Sequence, residues 1–206
     1  MDLTLAGGLA LVVVAWAALF ALPAGGFWRR VVPAGVAIGA YAGIAERHRL
    51  GRLLDPSGAD VLVGAAAALV LYVAFLAVRV ALPRVLPALA AQVDDLYRLG
   101  DRADRRTLPV LLVVVAFSEE LFWRGFVQHR GGFVLALAGY VAVLVWARVP
   151  ALLGAAALAG ASWGGLVAWR STLVAALVSH VLWDLAVMVY LPLRRRSHQQ
   201  HGWDAA

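Results

Sequence analysis

Ser118 to Gln128 reads SEELFWRGFVQ and sets Glu119, Glu120 and Arg124 into a run preceded by ten uncharged residues, LPVLLVVVAF. An ionised carboxylate deep in a bilayer is costly even on the lenient insertion scales, so acids placed there need partners and mark a candidate site. Glu120 and Arg124, four residues apart, share a helix face and can pair. Glu119 is turned by about 100° from Glu120, and its partner must come from another helix. The last apolar run, RSTLVAALVSHVLWDLAVMVYL, supplies His180 and Asp184, again four apart on one face. A carboxylate beside a neutral imidazole, in a pocket that admits water, provides a general base and a group to hold water or an oxyanion. Glu119, Glu120, His180 and Asp184 could also supply oxygen and nitrogen ligands, which keeps a divalent metal open as a chemical alternative, although no HExxH is present.

These residues need helices that cross a membrane to position them. The chain has 206 residues, 63% hydrophobic and 15% charged, with a mean hydropathy of +0.83, which excludes an ordinary water-soluble domain. A spanning helix takes roughly 20 mostly apolar residues. Residues 3–22, 59–82, 108–128 and 172–192 qualify, and 31–45, 133–147 and 151–169, rich in Gly and Ala, suit tightly packed or tilted spans. The expected fold is therefore all-α: a polytopic transmembrane bundle of about seven spans, with an amphipathic cytoplasmic helix within 83–109. The first run has no basic leader and reads as a retained span, with cleavage near ALPAGG the weaker option.

Arginine placement gives an orientation. One side collects Arg29, Arg30, Arg84, Arg98, Arg102, Arg105, Arg106, Arg148, Arg194, Arg195 and Arg196, the other Arg47, Arg49, Arg52, Arg130 and Arg170. The positive-inside rule makes the first side, and the C-terminus, cytoplasmic. Basic residues lying between apolar blocks face headgroups, so a nucleic-acid partner is not expected. Without cysteine, disulfides and thiol catalysis are excluded. Counted at 1.5 Å per residue, Glu119 and His180 both lie about 17 Å from the cytoplasmic boundary, so the two polar pairs can meet near mid-membrane.

At these residues the sequence resembles the CPBP family of intramembrane proteases, which includes the type II CAAX prenyl proteases and relatives of the lysostaphin-resistance proteins. Its motifs are E-E-x-x-x-R, F-x-x-x-H and H-x-x-x-N or an Asp variant. Glu119, Glu120 and Arg124 in EELFWR match the first, and His180 with Asp184 the last in its Asp form. The chain departs at the middle motif. It reads LVWARVP there, which puts Arg148 or a neighbour in the histidine's place, and no histidine lies between His129 and His180. An arginine can hold a carboxylate or an oxyanion but cannot act as a base.

The resemblance implies an N-terminal helical part over 1–107, a protease core over 108–192 and a polar cytoplasmic tail over 193–206. It implies an endopeptidase that cuts membrane-associated peptide or protein substrates with a water activated by Glu119, positioned by His180 and Asp184, with Glu120, Arg124 and Arg148 in supporting roles and no cofactor. The alternative is a pseudoprotease or membrane scaffold that binds peptides without cleavage; a transporter is weaker, for want of repeats or paired broken helices. The expected location is a bacterial plasma membrane.

Overall fold

The structure, a computed structural model, describes residues 2–22, 26–100, 104 and 106–191, with the backbone alone for 94–100. The tail over 193–206, the loop arginines Arg102 and Arg105, and the side chain of Arg98 lie outside the described residues. Helices are α1 Leu3–Ala21, α2 Phe27–Ala45, the single turn α3 Leu50–Leu53, α4 Gly58–Val85, α5 Pro87–Gly100, α6 Leu108–Glu120, α7 Gln128–Ala142, α8 Pro150–Arg170 and α9 Val174–Asp184. Two of them run on in a wider winding. α6 passes into a π-helix over Leu121–Val127, and α9 into another over Leu185–Tyr190. There is no strand among the described residues.

The helix starts carry local signals. Asp2 caps α1, its carboxylate accepting from the Thr4 amide at 2.9 Å. Ser57 caps α4, accepting from the Asp60 amide at 3.0 Å and donating to the Asp60 carboxylate at 2.6 Å. Pro109 and Pro150 stand in the first turns of α6 and α8, where no backbone donor is missed.

The 40-residue apolar run Leu108–Ala147 does not cross in one piece. Gly132 has φ +83°, a conformation that side chains rarely adopt, and it folds the run back on itself. In a continuous helix residues 119 and 140 would be about 30 Å apart; their side chains are 3.4 Å apart. The hairpin packs closely because Gly139 faces the ring of Trp123, where a Cβ would come within 2.8 Å of it.

End-to-end contacts show how often the bundle is traversed. Arg130 at the hairpin tip binds Asp2 and Glu46, each at 2.7 Å. Arg170 binds Asp60 at 2.6 Å, and the Leu173 amide donates to the Leu53 carbonyl at 2.8 Å. The start of α1, the end of α2, the start of α4, the hairpin tip, the end of α8 and the start of α9 therefore share one face. At the other face Arg30 reaches the Leu22 carbonyl at 3.3 Å, and the Ala151 amide donates to Gln92 at 3.3 Å, which lays α5 against the start of α8. Among the described residues seven helical passes result, as the sequence leads one to expect. Four helices have the length and hydropathy of membrane spans: Leu3–Ala21, Gly58–Val85, Leu108–Ala147, which the hairpin divides into two passes, and Pro150–Arg170. The shorter apolar Val174–Tyr190 completes the bundle. The protein is an all-helical integral membrane bundle.

Candidate active site

The first motif sits where α6 changes its winding. Glu119 and Glu120 are the last α-helical residues, and Arg124 lies within the π-helix. The second motif repeats the pattern, since Asp184 ends α9 and the next residue begins the other π-helix. Such segments widen a helix by one residue and recur at functional sites.

Glu120 is the buried hub, with 1% of its surface exposed. Its Oε1 lies 3.1 Å from Arg124 Nη1 and 2.8 Å from His180 Nδ1. A carboxylate can only accept, so His180 donates through Nδ1–H, which leaves the other ring nitrogen without a proton. That nitrogen, Nε2, is 3.6 Å from Asp184 Oδ2, beyond direct hydrogen-bond reach. Arg124 also donates from Nη2 to the Gly160 carbonyl at 3.3 Å, and its guanidinium lies 4.6 Å from the Tyr140 ring centre and 5.3 Å from that of Trp163. Trp163 stacks flat on the His180 ring, with centroids 3.6 Å apart and planes within 15°, and its indole N–H donates to Ser179 at 3.2 Å. The ring of His180 is thus fixed on one face and at one nitrogen.

Glu119 stands apart. It is half-buried, receives the Tyr140 hydroxyl at 3.4 Å on Oε2, and is within electrostatic range of His180, Asp184, Arg124 and Glu120. Asp184 keeps 15% of its side chain exposed. The two carboxylates with residual access are therefore Glu119 and Asp184, and the buried one between them is held by a cation.

The pairing of Glu120 with Arg124 is present as the spacing suggests. Two assignments change. His180 touches Glu120 and not Glu119, because α9 approaches the face of α6 that Glu120 occupies, about one residue's rotation away from Glu119. Arg148 is exposed in the left-handed turn before α8, at φ 55°, and makes no contact with the carboxylates among the described residues. Its position is set by the break between α7 and α8, eight residues beyond Tyr140 and past the end of α7 at Ala142. The site residues that spacing alone does not reveal are Tyr140, Trp163 and Ser179. Tyr140 offers the one hydroxyl in FVLALAGYVAVLVWA, and Trp163 sits among small residues in GASWGG, which is the available signal for a bulky ring with room made around it.

Among the described residues no three His, Cys, Asp or Glu side chains are arranged to hold a metal ion. Two apolar grooves indent the bundle, one beside Val73, Ala77 and Arg84 of α4, the other between α2 and α6 beside Gly39, Phe117 and Ser118. Neither is lined by Glu119, His180 or Asp184, so the expected polar pocket is not one of these two.

On the opposite side of the protein, Glu46 ends α2 between Arg49, at 2.9 Å, and Arg130. Burial disfavours its charge, yet hydrogen bonds from Arg49 and Arg130 outweigh this and hold the carboxyl below its ordinary 4.5. This cluster joins helix ends, with His129 within electrostatic range of Glu46, Arg49 and Arg130.

No curated protein and no solved structure matches the chain. Residues 105–186 match the model of a family described as type II CAAX prenyl endopeptidase Rce1-like. That segment carries both motifs and the side chains they bring together, and it shows the resemblance read from them: over 105–186 the chain is similar to the Rce1-like type II CAAX prenyl endopeptidases.

Proposed function

We propose that the protein is an intramembrane endopeptidase that hydrolyses peptide bonds of membrane-associated substrates. The observation that carries this reading is the division of labour between neighbouring glutamates: Glu120 is neutralised by Arg124 and tied to His180, whereas Glu119 has a single neutral donor and retains access. A carboxylate in that state can take a proton from water. Glu119 removes the proton as the water oxygen adds to the substrate carbonyl, and the tetrahedral intermediate carries the negative charge. The protonated Glu119 then gives its proton to the departing amine as the C–N bond breaks. His180, oriented by Glu120 and Trp163, presents Nε2 beside Asp184 toward the water or the developing oxyanion.

The reaction as written needs neither a metal nor a cofactor, and the substrate is a membrane-anchored peptide or protein. The proposed setting is a bacterial plasma membrane with the C-terminus cytoplasmic. The second reading, a protein that binds such peptides without cutting them, is favoured by one observation: with Arg148 outside the site, His180 is the one imidazole near the carboxylates among the described residues.

The test is purified protein in detergent or liposomes with a library of membrane-anchored peptides, prenylated ones included, comparing wild type with Glu119→Gln. Cleavage by wild type that Glu119→Gln abolishes supports the hydrolase. A wild type that binds but never cleaves supports the second reading, and activity lost to a chelator revives a metal.

A further inference from the structure

Two adjacent glutamates on one helix differ in fate, and one ring from another pass touches what each of them depends on. Tyr140 is 8% exposed and comes back to the glutamates through the hairpin at Gly132. Its ring lies under the Arg124 guanidinium at 4.6 Å, and its hydroxyl meets Glu119 Oε2 at 3.4 Å. We propose that Tyr140 is the positioning residue of this site: its ring face directs Arg124 to Glu120, and its hydroxyl holds one oxygen of Glu119, leaving the other for the reacting water. The inference rests on the hydrolase reading above and names the group that sets the base of that reaction.

The geometry supports it in three ways. First, the ring has little freedom. It packs edge-on against Trp123 at 5.8 Å and against Trp163 at 6.5 Å. A Cβ on Gly160 would approach it to 2.9 Å, so a glycine on α8 leaves the space it fills. Second, a cation over the face of a phenol draws electron density from the ring and strengthens the O–H as a donor. Arg124 thereby acts on Glu119 through Tyr140 while it neutralises Glu120 directly. Third, the O···O separation is long for a hydroxyl donor, whose usual value is about 2.7–2.8 Å. A bond of that length in the free enzyme is of the kind that tightens once substrate displaces loose solvent. The donor is neutral, so Glu119 keeps the basicity that a direct ion pair with an arginine would lower.

Two variants separate the hydroxyl from the ring. Tyr140→Phe keeps the face that meets Arg124 and the packing on Trp123 and Trp163, and removes one oxygen. Tyr140→Leu removes the face as well. The readouts are steady-state kinetics on a membrane-anchored reporter peptide that wild type cleaves, and the infrared carboxyl bands of the full-length protein, with Glu119→Gln identifying the Glu119 band. For Tyr140→Phe we expect kcat to fall at least tenfold with KM within twofold, unchanged melting, and a displaced Glu119 band. For Tyr140→Leu we expect, in addition, lower thermal stability. A residue that merely fills space would leave the Glu119 band in place. The inference is overturned by a Glu119 band that does not move in Tyr140→Phe, or by wild-type kcat in that variant. If wild type cleaves no peptide, the hydrolase reading fails, and the infrared band alone decides the role of Tyr140.

Discussion

Replacing Arg124 tests the electrostatic core of the site most directly. Glu120 and Arg124 are 1% and 3% exposed, and the guanidinium is the one full cation within ion-pair distance of that carboxylate among the described residues. Met is the informative replacement for Arg124, because it keeps most of the side-chain volume and so separates loss of charge from the opening of a cavity. The variant leaves the Glu120 carboxylate with His180 alone, deprives the buried Gly160 carbonyl of a donor and empties the space between Tyr140 and Trp163 of its cation. Removing one member of a buried pair costs about 3–5 kcal/mol. At about 2–4 °C per kcal/mol for a chain of this size, the midpoint falls by roughly 6–20 °C. Tryptophan fluorescence of detergent-solubilised protein, heated at one fixed rate, reports the difference even where unfolding is irreversible. Adding Glu120→Gln to Arg124→Met removes the stranded charge and recovers most of the loss, while His180 Nδ1–H still finds an acceptor. Wild-type melting in the single variant would refute the reasoning, since it would mean that water, not Arg124, balances Glu120.

Other expectations follow from separate parts of the molecule. Glu119→Gln abolishes cleavage in the peptide assay while melting as wild type does, because the side chain is half-buried and held by one long hydrogen bond. Gly139→Val drives atoms into the Trp123 ring and costs about 1–3 kcal/mol as overpacking, read as a lower melting midpoint; an unchanged midpoint would show that the hairpin can open there. Glu46 contributes stability that is full above its ordinary value of 4.5 and is lost as pH falls through its lower folded value. Its Gln variant should therefore show a shallower loss of stability as pH falls below 4.5, and an acid limb identical to wild type would remove Glu46 as its source. Arg148→His does not create a second base, since position 148 is exposed in a turn; a large gain in cleavage would show that this turn folds over the site.

The features legible in the sequence are those governed by one helix at a time. Hydropathy located the passes, and the four-residue spacing gave Glu120 its partner, because both depend on local geometry. Counting residues from the membrane boundary brought Glu119 and His180 to one depth for the same reason. Rotation between helices was not available. Which of two adjacent glutamates meets His180 depends on how α9 is turned against α6, a quantity that spacing within each helix does not fix. The two π-helices compound this, since each adds a residue to a turn with no marker such as proline. Aromatic residues carry little signal: in a chain with eight tryptophans, the one stacked on the His180 ring looks like any packing residue until the helices are assembled. A place in a motif is not a place in space: Arg148 stands at the middle motif's position in the sequence, and the turn before α8 leaves it exposed and without contact to the carboxylates among the described residues.

The π-helix after Glu120 gives the length of the chain a chemical meaning. Loss of one residue within 125–127, after Arg124, would let this segment wind as ordinary α-helix. Both ends of the pass could then stay anchored, with Arg130 on Glu46, but the glutamate pair would swing by about 100° relative to the hairpin tip. Every acid, base and cation would still be encoded, and Arg124 would still lie beside Glu120, but the glutamates would be turned relative to the hairpin that carries Tyr140. In such a descendant, a census of the motif residues would report both motifs intact. A single-codon deletion can thus rearrange the site while leaving every motif residue in the sequence, so comparisons among relatives of this chain have to count residues between Glu120 and Arg130 as carefully as they identify them.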